Sequence, residues 1–189
     1  MGRSRSELQA FSGRTVPDLL GPDVRLLFVG INPGLWTAAV GAHFARRGNR
    51  FYPALRRGGI IDRDIDASAG YRPEDLAHLL ERGIGITNLV PAASARADEL
   101  TREQLRAGGV SLAEVVARVR PKVVAVLGIT AYRTAFGRPG ARPGRQSEEI
   151  AGVPVWVLPN PSGLNAHETV DSLAAAYREV AVAAGLATG

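Results

Sequence analysis

Four short apolar runs, Val24–Val29, Ile84–Val90, Val123–Leu127 and Val153–Leu158, recur along the chain. Continuous apolar stretches of this length predict buried parallel strands covered on both faces. Around them the pattern shifts to the helical period. Helices are expected over Arg50–Arg57, Pro73–Arg82, Ser111–Arg118, Thr130–Phe136 and about Glu168–Ala184. Pro73 suits a first helical turn, and Leu76, Leu79 and Leu80 make an i, i+3, i+4 stripe behind it. In the last helix Leu173, Ala176, Tyr177 and Val180 share one face. The alternation predicts an α/β fold, a three-layer α/β/α sandwich around a short, mainly parallel four-stranded sheet. Residues 1–22 show no sustained period and read as an arm expected to pack poorly, ahead of one domain over 23–187.

Composition narrows the chemistry. The 189 residues are 46% hydrophobic and 22% charged, an ordinary globular balance with enough chain to bury a core. No apolar run approaches the ~20 residues that span a bilayer, and no apolar stretch near the N-terminus reads as a secretory signal, so a cytoplasmic protein is expected. The absence of Cys excludes disulfides, thiolate metal sites and thiol catalysis. The net charge is +5, and Lys122 is the only lysine among the basic residues. Such a balance suits phosphate contacts, although a bias toward Arg, Ala and Gly also accompanies GC-rich coding.

Two Gly/Pro-rich loops close strands of this pattern, where open α/β sheets build ligand sites. The first, Gly30-Ile31-Asn32-Pro33-Gly34, lacks both glycine fingerprints of phosphate cradles, and Pro33 removes a donor that a cradle would use. What remains is a rigid turn carrying the amide of Asn32. That amide can hold a water molecule without ionising, or it can cap the turn. The second loop, Asn160-Pro161-Ser162-Gly163-Leu164-Asn165, is polar with an apolar tip. It suits a wedge that enters a base stack, unless Leu164 is tucked into the core.

Two further stretches belong with these. His43 and Phe44 precede Arg46, Arg47 and Arg50, an aromatic beside a basic cluster, as a base pocket near a phosphate track would need. His43 itself, without a neighbouring carboxylate, reads as structural or solvated. Thr87-Asn88-Leu89-Val90-Pro91, with Ser94 shortly after, places a second neutral amide and a hydroxyl at another strand end. Asn88 could meet the pairing edge of an extruded base or serve as a turn residue before Pro91.

Taken together the chain resembles the mismatch-specific uracil/thymine-DNA glycosylase family. The matching stretches are Gly30–Leu35, Gly48-Asn49-Arg50-Phe51, Gly85–Val90, Ala107-Gly108-Gly109 and Asn160–Leu164, in family order over about residues 24–182. The resemblance implies that Asn32 holds the attacking water, with Ser94 assisting, and that Phe44 stacks on the flipped base while Asn88 contacts its edge. Backbone N–H groups near Ile31 and Phe44 would stabilise the departing base as an anion. Asn160, Ser162, Gly163, Leu164 and Asn165 would form the DNA-binding loop that fills the gap. Departures from the family pattern fall at Trp36, Thr37, Pro91 and Ala166. The implied protein is a monomeric, cofactor-independent and metal-free enzyme of base excision repair. It acts on double-stranded DNA bearing a mismatched or damaged base, chiefly uracil opposite guanine, and is nucleoid-associated when bound. Two other readings stay open: a same-fold glycosylase for another lesion, and a catalytically idle DNA-binding α/β module. A dinucleotide oxidoreductase is disfavoured by the missing fingerprint.

Overall fold

The computed structural model describes residues 2–189. Its elements in chain order are α1 (Arg5–Gln9), β1 (Leu26–Gly30), α2 (Leu35–Val40), α3 (Phe51–Arg57), α4 (Pro73–Glu81) and β2 (Ile84–Asn88). There follow α5 (Arg102–Val119), β3 (Val123–Leu127), α6 (Ile129–Ala135), β4 (Gly144–Ile150), β5 (Val153–Leu158) and α7 (Val170–Ala183). The four expected strands are present, within two residues of their predicted ends. They form a parallel run in the order β2-β1-β3-β5.

Side chains alternate across this sheet. Leu26, Phe28, Ile84, Ile86 and Val123 face a core shared with Leu55 of α3, Leu79 of α4 and Tyr177 of α7. Leu27, Val29, Val124, Val126 and Val155 face the opposite core, with Leu112 and Val116 of α5 and Tyr132 of α6. Both faces are therefore dry, which is why the strands read as unbroken apolar runs. The predicted three-layer sandwich is the observed architecture.

The sheet has five strands rather than four. β4 joins the edge of β5 in antiparallel register, with an irregularity between Arg145 and Glu149. Its sequence, GRQSEEI, holds one apolar residue, Ile150, because the strand is paired on one side only and mostly faces solvent. Polar and charged residues on an edge discourage pairing with other chains, and they also erase the apolar signal.

Helix α5 begins nine residues before the predicted Ser111 start. Gly108 and Gly109 break the apolar period there, and packing explains both. A Cβ on Gly108 would lie 2.3 Å from the Leu89 carbonyl oxygen, and one on Gly109 would lie 2.7 Å from that of Ala135. The helix start was nonetheless encoded: Thr101 and Gln104 form a reciprocal capping box. Helices α1 and α2 were not anticipated. Ser4 and Glu7 cap the first in the same way.

The expected loose arm is tied down in its second half. Val16 and Leu19 are buried, and Leu19 exchanges backbone hydrogen bonds with Ile86 along the outer edge of β2.

Candidate active site

Strand order reverses between β1 and β3, so the carboxyl ends of these two strands flank a crevice outside the sheet. A cleft of about 420 Å³ occupies this place. It is bordered by the Gly30–Gly34 turn, Phe44, Asn88, Ser94 and, from the second loop, Asn160, Pro161, Ser162 and Leu164. Of the sequence-predicted residues, scattered over more than a hundred positions, Ile31, Asn32, Phe44, Asn88, Ser94, Asn160, Ser162 and Leu164 meet here, whereas Gly163 and Asn165 do not line the cleft.

The Gly30–Gly34 turn is held by main-chain bonds to the segment after β2. Leu89 and Val90 donate to the carbonyls of Gly30 and Ile31, and Ser94 N–H donates to Pro33 at 3.2 Å. The turn is thus an extension of the β1–β2 ladder, and its backbone is fixed. Asn32 Nδ2 donates to the Ala92 carbonyl at 3.1 Å and to Ser94 Oγ at 2.8 Å. Both amide hydrogens are engaged, so Oδ1 is the atom with which Asn32 can accept a hydrogen bond from a guest. Ser94 sends its own proton to the Arg96 carbonyl at 2.7 Å. Its hydroxyl is therefore an acceptor toward Asn32, and the polarity of the pair is set.

Phe44 forms one wall. Its ring stacks on Phe51 with centroids 4.1 Å apart and planes 27° apart, and Phe51 in turn packs edge-on against Phe28 in the core. Phe44 has φ of 55°, left-handed backbone that a non-glycine residue adopts only when its surroundings hold it. The holder is a ring of hydrogen bonds. His43 N–H donates to Tyr71 Oη at 3.2 Å, and Tyr52 Oη donates to the His43 carbonyl at 2.9 Å. The two hydroxyls are 2.7 Å apart, so Tyr71 must donate to Tyr52. Burial pushes the Tyr71 hydroxyl up to about 12 and that of Tyr52 well above its usual value, which keeps the ring protonated. Neither the Ile31 nor the Phe44 N–H has a hydrogen-bond partner among the described residues, and both residues border the cleft.

Asn88 ends β2 directly opposite Gly30 of β1. Its Oδ1 lies 2.5 Å from the point a Cβ on Gly30 would occupy, so only glycine leaves this space. On its other side Nδ2 lies 3.5 Å from His43 Nδ1. His43 is buried, and its Nε2 lies 2.9 Å from the Pro17 carbonyl. Burial pushes the imidazole below its usual 6.5, with the Pro17 bond and Asp18 acting in the opposite sense. Sequence reasoning set His43 aside because no carboxylate was near; its partners are a carbonyl and an amide that only the fold brings to it.

The second loop is braced from within. Asn160 Oδ1 accepts from Ser162 N–H, Ser162 Oγ accepts from Leu164 N–H, and Asn165 Nδ2 donates to the Asn160 carbonyl. Arg50 clamps it from the facing segment, donating to the carbonyls of Asn165 and Glu168 at 2.9 and 2.8 Å. Gly163 rests on Gly48, whose oxygen would be 2.6 Å from any Cβ placed there. The side chains of Asn160, Ser162 and Asn165 thus shape the loop. Leu164 projects from it, 75% exposed, which removes the alternative that it is core. Arg46 of the predicted basic cluster borders the cleft; so do Arg96 and Asp98, which were not singled out from the sequence, where they resemble the many other surface charges.

The fold is that of the DNA glycosylases, which free a base from DNA by hydrolysis, and a family match agrees with it. The family model of the Uracil DNA glycosylase superfamily matches residues 17–181, and the chain belongs to that superfamily. Among solved structures, the chain is similar to the solution structure of a proposed uracil DNA glycosylase from Methanosarcina acetivorans. The TM-score is 0.59 at 17% identity, covering 89% of this chain and 98% of that one. At that identity the likeness speaks for the fold. No helix among the described residues is long and apolar enough to cross a membrane.

Proposed function

We propose that the protein is a monofunctional glycosylase that hydrolyses the N-glycosidic bond of uracil in double-stranded DNA, chiefly at G·U mismatches. The observation that carries this reading is the Asn32 amide. With Nδ2 engaged twice, its Oδ1 is left to accept a hydrogen bond from one water molecule in the cleft. That water keeps a lone pair free to attack the anomeric carbon as the bond to the base lengthens. A neutral amide positions water but takes its proton poorly, so bond breaking leads and the sugar develops oxocarbenium character.

The leaving base must carry negative charge away. In this reading the N–H groups of Ile31 and Phe44, which have no partner among the described residues, receive it, with Phe44 stacked on the base face and Asn88 at its edge. An aromatic backed by Phe51 offers a rigid stacking surface. The exposed Leu164 would enter the duplex where the nucleotide leaves, and extrusion costs least where pairing is already weak. Preference for mismatched uracil follows from that cost.

Labelled duplexes carrying U, T, ethenocytosine or hypoxanthine opposite guanine test the proposal, with alkaline cleavage after incubation in the presence of EDTA. Uracil release that leaves an abasic site is expected. Activity that is absent in EDTA and returns with a divalent ion would refute the water-positioning account.

A further inference from the structure

We infer that His43 is a specificity-determining positioning residue, which fixes the amide of Asn88 so that an oxygen acceptor faces the edge of the bound base. The inference rests on the proposed base pocket and goes beyond it, because it names what decides which edge is read.

The argument follows hydrogen-bond polarity from outside to inside. The Pro17 carbonyl can only accept, so the His43 Nε2 atom 2.9 Å from it must carry the ring proton. With one ring proton placed there, Nδ1 is a lone pair. Asn88 can meet a lone pair only with its NH₂ group, and Nδ2 is the atom found 3.5 Å away. The amide oxygen is then turned from His43 into the space above Gly30, the one place where a side chain at position 30 would collide with it. Asn88 thereby offers the cleft an acceptor. Uracil and thymine present a donor, the N3–H, at the corresponding edge, whereas cytosine presents a lone pair at N3. The arrangement favours the former and sets like dipoles against the latter.

The histidine cannot swing away to relax this constraint. Its main chain is closed into the three-bond ring with Tyr52 and Tyr71, and its side chain is buried between Pro17 and Asn88. The titratable groups around it are Asp18 next to Pro17, the two tyrosine hydroxyls, and Asp75 on α4 near Tyr52. Because burial keeps the imidazole uncharged at neutral pH, the tautomer argument applies there. A second proton would land on Nδ1 and turn it into a donor, which the amide could meet only by reversing.

The test compares single-turnover release of 5-fluorouracil and 5-fluorocytosine opposite guanine, the fluorine making both bases better leaving groups. In His43→Leu, 5-fluorouracil release should slow about tenfold relative to 5-fluorocytosine, the worth of one hydrogen bond. His43→Gln can donate to Pro17 through Nε2 and accept from Asn88 through Oε1. It should restore the parent ratio to within about threefold, well inside that tenfold span. Melting temperatures of both variants show whether the fold is kept, and a pH series on the parent supplies a readout that needs no variant. There the ratio should fall as the solution becomes acidic enough to protonate His43. A Leu variant with the parent's ratio, or a parent ratio flat down to acid unfolding, overturns the inference. A parent that releases neither base refutes the glycosylase reading itself, and the two failures are therefore told apart.

Discussion

Asn32 and Ser94, 62 positions apart in the chain, are joined by a 2.8 Å hydrogen bond in which the amide donates and the hydroxyl accepts. The direction matters more than the distance. Ser94 gives its proton to Arg96, so it cannot donate to a water or to Asn32 Oδ1. Its contribution is to hold the amide with the oxygen outward. The sequence resemblance implied that Ser94 assists the water directly; the geometry favours an action through Asn32.

Asn32→Ala should keep the fold and DNA binding while single-turnover uracil release falls roughly 10²–10⁴-fold, the usual cost of losing a positioned catalytic group. Ser94→Ala should lose less, because the Ala92 carbonyl still holds one amide hydrogen. Equal losses in the two variants would mean that the hydroxyl touches the water after all.

Gly30→Ala separates activity from stability. The atom that the new Cβ meets is the far end of the Asn88 side chain, 2.5 Å away, which can swing aside. Thermal unfolding should change little, within the ±0.5 kcal/mol typical of benign substitutions. Excision of uracil should drop about tenfold or more as Asn88 loses its place. A crystal structure showing Asn88 unmoved in the variant would refute the explanation.

Gly163→Ala should behave differently. Here the obstacle is main chain, the Gly48 oxygen at 2.6 Å, and neither loop can yield without breaking the Arg50 clamp. Overpacking of this kind costs about 1–3 kcal/mol. Both melting temperature and activity should fall together, as a paired thermal and kinetic measurement would reveal.

Leu164→Ala removes an exposed side chain and should leave the melting temperature unchanged. Excision should fall further for a well-paired A·U target than for G·U or single-stranded uracil, since the wedge offsets a few kcal/mol of unstacking only where stacking is intact. Uniform loss across the three substrates would speak against a wedge.

His43 predicts an acid limb in stability. Its folded pKa lies below the unfolded value near 6.5 because burial disfavours the charged ring. Below 6.5 the unfolded chain takes up the proton first, so stability declines as pH falls from about 6.5 toward the folded pKa and is level above it. His43→Gln should flatten that limb in denaturant titrations run across the window.

The sequence by itself determined the layers. Val24–Val29, Val123–Leu127 and their two companions are apolar throughout because both faces of each strand are covered, and a pattern that follows burial survives in one dimension. It also singled out Asn32, Asn88 and Leu164, which border the cleft, since turn chemistry at strand ends is written in neighbouring residues. Only the tertiary structure decided the rest. Strand β4 is polar because it is an edge, a property of its neighbours rather than of its own residues. The glycines of α5 look like helix breakers until Leu89 and Ala135 are seen against them. His43 is the clearest case: a lone histidine means little until Pro17, Tyr52, Tyr71 and Asn88, drawn from four separate segments, give each of its polar atoms a partner. Hydrogen-bond direction depends on where long-range partners fall, and that is settled only when the chain has folded.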